Sequence, residues 1–172
     1  MKSVVICGSS RFAPEMREFA KKLKDFLIKA KINTYAKGGE GGEMILDDGS
    51  KELIYAEDGW KYRDRYFGFN PFIGEEVVWK SDQAVWGMNY YGRIISNKVD
   101  AKQIYQFLKK ALQLVKADRP FRGPENFSEG EWSYEDKADG LIDKFEGTEA
   151  IYFQKEKVYE LKYQGGAVTK YC

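Results

Sequence analysis

Residues 72–92 return 73 positions later without a gap. Phe72, Gly74, Glu76, Val78, Val85, Trp86, Met88, Tyr90 and Gly92 fall on Phe145, Gly147, Glu149, Ile151, Val158, Tyr159, Leu161, Tyr163 and Gly165. Nothing constrains the fold of this chain more, because a segment recurring at fixed spacing asks for the same supersecondary unit twice. One residue of slack also brings Trp60, Tyr62 and Asp64 onto Trp132, Tyr134 and Asp136, and "FLIKA" at Phe26 resembles "FLKKA" at Phe107. Two aromatic hairpins share alternation by default, but alternation does not demand matched glycines and glutamates. The reading is an internal duplication.

The unit that recurs is legible from periodicity. Pro14 suits a first helical position, and Met16, Phe19, Ala20, Leu23, Phe26, Leu27 and Ala30 form one apolar stripe, which predicts a helix to about Lys31. "KELIYAEDG", "WKYRDRYF", "EEVVWKSD" and "AVWGMNYYGRII" then alternate as strands, with Asp58-Gly59 as a hairpin turn. Asp100 is an N-cap for a second helix to Lys116, through Ile104, Phe107, Leu108, Ala111 and Val115. "EWSYED", "GLIDKFEG", "EAIYFQKE" and "KVYELKYQGGAVTKY" resume the strand pattern. The expectation is a single α+β domain over 1–172, with pseudo-repeat halves at about 14–95 and 100–170. Each half would be a helix plus four strands, their curved antiparallel sheets packed on the two helices. Gly87, Gly92, Gly165 and Gly166 inside strands predict bulges or close backbone approach. "KGGEGGE" reads as a flexible loop, a phosphate cradle being the alternative, and "RPFRGPENF" as a turn-rich connector in which Arg122-Gly123-Pro124 fixes a turn, with an anion site as the alternative.

Composition removes several function classes. Lys and Arg total 28 against 27 Asp and Glu, a net charge of +1, so no global field draws the chain to nucleic acid or an anionic membrane. There is no histidine, which excludes histidine-dependent triads and removes the commonest metal ligand. Cys7 and Cys172 lack metal-type spacing and read as free thiols in a reducing compartment, a disulfide joining the termini being the alternative. "MKSVVICGSS" reads as a strand rather than a signal peptide, and no segment reaches transmembrane length, so the expected location is cytoplasmic. Neither a metal nor a cofactor is expected.

Chemistry concentrates on the repeated glutamates. Strand alternation puts Glu76 on the face of Phe72 and Val78, with Trp86, Met88 and Tyr90 on the next strand; Glu149 recurs with Tyr159, Leu161 and Tyr163. A buried carboxylate is costly unless paired. Three accounts remain open. Glu76 and Glu149 could accept bonds from Tyr62 and Tyr134, indole N–H groups or a helix N-terminus and serve the fold. They could instead be the counter-charge for an amphipathic or amine-bearing ligand stacked on Trp60, Trp86 and Tyr90. Or burial could make Glu76 a general acid or base with Asp64 or Glu149, cleaving or transferring at a glycosidic or N-glycosidic bond. The binding account is preferred among the functional ones and leans away from an enzyme. Its candidate residues are Trp60, Tyr62, Glu76, Trp86 and Tyr90, with Glu149, Tyr159 and Tyr163 as duplicates. Asp64 and Asp136 could be turn formers or supporting partners. A protein-interaction role for the aromatic surface, including self-association, is a further reading.

The run "YRDRYFGFNPFIGEEVVW…WGMNYYG", with "RGP" and "FEGTEAIYF…VYELKYQGG", resembles an uncharacterised domain family found alone and, in some bacteria, C-terminal to helix-turn-helix regulators. The resemblance spans roughly residues 26–166 and implies a sensor or ligand-binding module, with no catalytic residues to transfer. This chain has no room for the helix-turn-helix part. The opening "KSVVICGSSRFAPEMREFAKKLK" is similar instead to the first strand, loop and helix of nucleoside deoxyribosyltransferase-like proteins, which implies at most an anion site at Gly8, Ser9 and Ser10.

Overall fold

Helix α1 (Pro14–Lys31) forms on the predicted stripe and turns Leu23, Phe26, Leu27 and Ala30 inward. The computed structural model describes residues 14–36 and 43–168. Residues 3–7, the Gly8-Ser9-Ser10 turn, both cysteines and residues 37–42 of the glycine-rich loop lie outside the described residues. A π-helical turn, Ile32–Ala36, continues α1, and Thr34 Oγ1 donates to the Ala30 carbonyl at 2.7 Å. Helix α2 (Ala101–Leu112) starts at the expected cap, the Asp100 carboxylate accepting from the Lys102 N–H, and ends short of Lys116. No described helix is long and apolar enough to cross a membrane.

The strands are β1 (Met44–Ile45), β2 (Lys51–Glu57), β3 (Trp60–Gly68), β4 (Phe72–Lys80), β5 (Gln83–Ile94), β6 (Asn126–Glu129), β7 (Trp132–Leu141), β8 (Lys144–Phe153) and β9 (Glu156–Ala167). They make one nine-stranded antiparallel sheet, ordered β1-β2-β3-β4-β5-β9-β8-β7-β6. This overturns the expected α+β arrangement of helix-plus-four-strand units with curved sheets packed on two helices. The molecule is dominated by a single sheet, and the helices only cover one of its faces. The cause is at the centre. β5 and β9, the last strands of their meanders, pair from Trp86↔Ala167 to Ile94↔Tyr159, so neither keeps a free edge and the two meanders fuse. "GLIDKFEG" is likewise no strand of its own: it straddles the β7–β8 hairpin, whose turn is Ile142 and Asp143, while β6 supplies the outermost strand.

Alternation sorts the sheet into two faces. The inner face carries Tyr62, Val78, Trp86, Met88, Tyr134, Ile151, Tyr159 and Leu161, all nearly inaccessible. Phe26 of α1 stacks on Trp60 at 5.5 Å, and Phe107 of α2 stacks on Trp132 at 5.2 Å, so each helix seals one end of the sheet with an aromatic pair. The outer face is laced by ion pairs such as Arg63–Glu75 and Arg93–Glu160.

Candidate functional site

Four carboxylates sit on the inner face where apolar residues would be expected. Asp64 of β3 lies directly across from Glu76 of β4, and Asp136 of β7 directly across from Glu149 of β8. All four are at most 3% exposed. Tyrosines reach the aspartates by crossing a glycine. Tyr90 of β5 lies opposite Gly74 of β4, and its ring passes over that glycine so that the hydroxyl donates to Asp64 on β3. Tyr163 of β9 crosses Gly147 in the same way and donates to Asp136 Oδ1 at 2.9 Å. A Cβ at Gly74 would stand 2.6 Å from the Tyr90 ring carbon Cζ, so the close approach requires glycine there.

The cations come from outside the sheet. Lys31, at the end of α1, donates to Glu76 and, at 2.8 Å, to the Phe121 carbonyl. Arg122, in the connector before β6, forks onto Glu149 through Nε and Nη2 at 3.0 Å each, and its Nη1 lies 4.0 Å from Glu76. One guanidinium therefore joins the carboxylates of both meanders. Glu149 also accepts from Tyr134 at 2.6 Å and Tyr159 at 3.0 Å, and the Gly123 N–H donates to the Tyr134 hydroxyl at 2.9 Å. Burial lowers the Lys31 pKa against the pull of Glu76, whereas Arg122, despite burial, is driven well above its ordinary value by Glu149. Burial first, and then the Glu76 and Asp64 charges, hold the Tyr62 phenol well above its usual value.

The two aspartates differ. Arg119 Nη2 bonds Asp136 at both its carboxylate, 2.8 Å, and its carbonyl, 2.7 Å. Asp64 has the Tyr90 hydroxyl as its one hydrogen-bond partner among the described residues. Desolvation, followed by the Glu76 charge, raises the Asp64 pKa to about 7; desolvation, followed by Glu149, takes Asp136 to about 6. Among the described residues Lys31, Arg119 and Arg122 pair with Glu76, Asp136 and Glu149, and no ion pair reaches Asp64.

Asp64 also lines a cavity of about 140 Å³, with Tyr66, Phe72, Tyr90 and Tyr105 as aromatic walls, Arg122 beside them, and Glu43, Lys51 and Lys109 also lining it. Lys51 pairs with Glu43 at 3.3 Å and lies over the Tyr66 ring. Two wider troughs, about 920 and 730 Å³, lie along β4, β5, β9, β8 and β7, with walls of strand residues such as Asn89, Asp139, Glu146 and Gln164. Among the described residues no group of acidic or cysteine side chains is arranged to hold a metal ion.

Of the residues singled out from the sequence, Tyr90 lines the cavity. Trp60 packs on Phe19 and Phe26. Trp86 stacks on Phe145 and donates to the Ile142 carbonyl at 3.1 Å. Tyr62 is fully buried near Glu76, Glu149 and Tyr159 share the Arg122 cage, and Tyr163 holds Asp136. Sequence reasoning passed over Lys31, Arg119, Arg122, Phe72 and Tyr105. Lys31 had a signal, since it continues the i, i+4 row of Leu23 and Leu27 onto the buried face. Arg119 and Arg122 had none, because a turn-rich connector carries no periodicity.

No curated protein and no solved structure matches the chain. One family model does, described as a domain of unknown function (DUF5680), over residues 64–168. The match begins at Asp64 itself and takes in Glu76, Tyr90, Arg119, Arg122, Asp136, Glu149 and Tyr163, leaving out α1 and Lys31. With more than half of its length inside that match, the chain belongs to the DUF5680 family, a domain of unknown function.

Proposed function

We propose that this protein is a small-molecule binding module whose ligand is a compact cation carrying a flat apolar body, held in the Asp64 cavity. One observation carries the reading: a buried carboxylate with a single hydroxyl partner among the described residues borders an aromatic-walled cavity. A cation there would pair with the Asp64 carboxylate, and its flat body would lie against Phe72, Tyr90 and Tyr105. At about 140 Å³ the space is well below that of a drug-sized site, roughly 300 Å³ or more, and suits a one-ring molecule. A sensor role fits such a site. Hydrolysis by paired carboxylates is less well supported, because Glu76 is tied to Lys31 and only Asp64 borders this cavity. The same reading takes the two meanders as copies of one ancestral unit, supported by the pairing of matched tyrosines, Tyr90↔Tyr163, at the central seam.

The test is thermal denaturation with benzylamine, benzyl alcohol and benzoate on the wild type and Asp64→Asn. Benzylamine is expected to raise the wild-type Tm in a concentration-dependent way. Benzyl alcohol and benzoate should not, nor should benzylamine act on Asp64→Asn. Because Asp64 ionises near pH 7, the benzylamine effect should grow as pH rises through that value. An equal response to the alcohol, or one retained in Asp64→Asn, would remove the proposal.

A further inference from the structure

Among the described residues, the second meander holds what the first does not. Around Asp136 the inner face repeats the Asp64 surroundings: Tyr163 for Tyr90, Gly147 for Gly74 and Phe145 for Phe72, each at the matching place in the strand register. There the site is filled from within the chain by the connector that follows α2. Arg119 gives its guanidinium to Asp136 through Nη2. Phe121, two residues on, lays its ring on Phe145 at a centroid distance of 4.0 Å and 17°, with Tyr163 6.4 Å away. Around Asp64 neither element is present among the described residues. No described cation bonds the carboxylate, and the described rings beside Phe72, those of Tyr90, Tyr105 and Tyr159, stand 6.0, 6.2 and 6.4 Å away. The cavity borders both Asp64 and Phe72.

We infer that the Arg119–Phe121 plug is an internal template for the ligand of the Asp64 cavity, and that this ligand is a guanidinium joined to an aromatic ring, the guanidinium on Asp64 and the ring on Phe72. This rests on the reading of the cavity as a cation site and goes one step further, since a guanidinium and an ammonium make different demands. A planar guanidinium presents its donors in a fixed plane, and on Asp136 the Nη2 group of Arg119 alone reaches both the carboxylate and the carbonyl, whereas an ammonium is a compact point charge. The guanidinium also carries the weaker hydration shell, so its transfer into a site with aromatic walls meets less resistance. The chemistry is shared by a free arylalkyl guanidine and by an arginine set beside an aromatic residue in a peptide; the cavity's size favours the free molecule.

Isothermal titration of the wild type with benzylguanidine, benzylamine, methylguanidine and the peptide acetyl-Arg-Pro-Phe-amide tests the inference at pH 8, where Asp64 is ionised. Benzylguanidine should bind at one equivalent and about tenfold more tightly than benzylamine. Asp64→Asn, which keeps the shape of the side chain, should abolish its binding. Phe72→Leu leaves the carboxylate in place and guards against a folding defect: it should weaken benzylguanidine severalfold and leave methylguanidine, which has no ring, unchanged. A peptide that outbinds benzylguanidine would support the guanidinium–aryl chemistry and name a polypeptide as its source. Benzylamine binding as well as or better than benzylguanidine would overturn the template while leaving the cavity a cation site. Indifference of benzylguanidine to Phe72→Leu would overturn it too. Failure of every compound to bind would remove both readings.

Discussion

The two carboxylate pairs of the inner face use the same strand positions and reach opposite conditions. Glu149 receives a two-pronged guanidinium and two phenol hydroxyls, and Asp136 beside it is closed by Arg119. Among the described residues Glu76 has Lys31 and the neighbouring Tyr62 phenol, with Arg122 further off at 4.0 Å, and Asp64 has one tyrosine. One pair is saturated and serves the fold; the other is under-supplied and adjoins a cavity. A buried polar group that is fully partnered rigidifies, while a partly partnered one is where a ligand has something to gain. Identical placement in a sheet therefore does not confer identical roles. What decides is the loop that lands on each pair.

The largest expected effect comes from asking which pair the fold depends on. Glu149→Gln leaves Arg122 buried without the carboxylate it is forked onto, with only Glu76 at 4.0 Å among the described carboxylates it pairs with, and arginine cannot shed its proton, so the loss should be about 3–5 kcal/mol. Glu76→Gln should cost less, about 1–3 kcal/mol, because burial already pushes the Lys31 pKa down and the amine can turn neutral. Urea denaturation of the two variants measures the difference. Equal losses would erase the contrast between a saturated and an open pair.

Next in size are the crossing points. Gly147→Ala places a Cβ 2.7 Å from the Lys137 carbonyl, a backbone atom that cannot swing aside, as well as against the Tyr163 ring. Gly74→Ala meets side-chain atoms, among them Tyr66 Cβ at 2.6 Å and the Tyr90 ring, which has the adjoining cavity to turn into. Overpacking of this kind costs about 1–3 kcal/mol. Gly147→Ala should fall at the upper end and Gly74→Ala at the lower, by chemical denaturation, with Gly74→Ala alone losing affinity for benzylamine.

These features were unequally legible beforehand. The helical stripes, the strands and the hairpin at Asp58-Gly59 follow from local periodicity, and the recurrence of Glu76 as Glu149 pointed at the right face. That β5 and β9 would pair was not legible, because any two alternating strands can make an antiparallel ladder and nothing in either names its partner. The site was half legible for the same reason. Strand parity put Tyr90 and the glutamates together, but Trp60 and Trp86 read equally well as ligand platforms and as core, and the helices settled the matter by packing on Trp60. Asp64 was harder to rank, since its weight comes from what Arg119 does for Asp136 and does not do for Asp64. That information lies in the path of a connector.

Acidity offers a third contrast. Both aspartates have folded-state pKa values raised by burial, so the folded state holds protons that the unfolded state releases near pH 4. Their contribution to stability is full below that pH and is lost as pH rises through about 6 for Asp136 and about 7 for Asp64. Asp64→Asn removes the larger loss and keeps an acceptor for Tyr90. It should stabilise the protein at pH 8 by roughly 1–2 kcal/mol, below the ceiling of about 4 kcal/mol set by the shift itself. Asp136→Asn should bring no such gain, because it takes from Arg119 a partner that offsets the cost. Melting curves from pH 5 to 8.5 should show a wild-type decline that flattens in Asp64→Asn.

The smallest effect on stability, and the one that isolates function, lies in the β3–β4 and β7–β8 turns. Gly68 and Gly140 open them with positive φ, +85° and +98°, and both turns then fold against the sheet by different bonds. In the second, the Ile142 carbonyl takes the Trp86 indole N–H and the Asp143 carbonyl takes the Ala167 N–H, so the turn is tied to the sheet. In the first, Asn70 Oδ1 accepts from the Ile94 N–H at 2.8 Å, while Phe69 is 59% exposed and its carbonyl is held by the Tyr105 hydroxyl of α2, at 2.5 Å, beside the cavity. Tyr105→Phe removes one bond near solvent and should cost under about 1 kcal/mol. The ring remains as a cavity wall, so the equilibrium contacts to a ligand persist while the turn at the cavity's edge loses its tie to α2 and keeps the Asn70–Ile94 bond. Ligand exchange should therefore speed up, seen as a faster dissociation of benzylamine by NMR line-shape analysis, with Kd changed severalfold at most. A Tyr105→Phe variant with unaltered exchange would mean that the first turn is as passive as the second, and would confine the difference between the meanders to the charges beneath it.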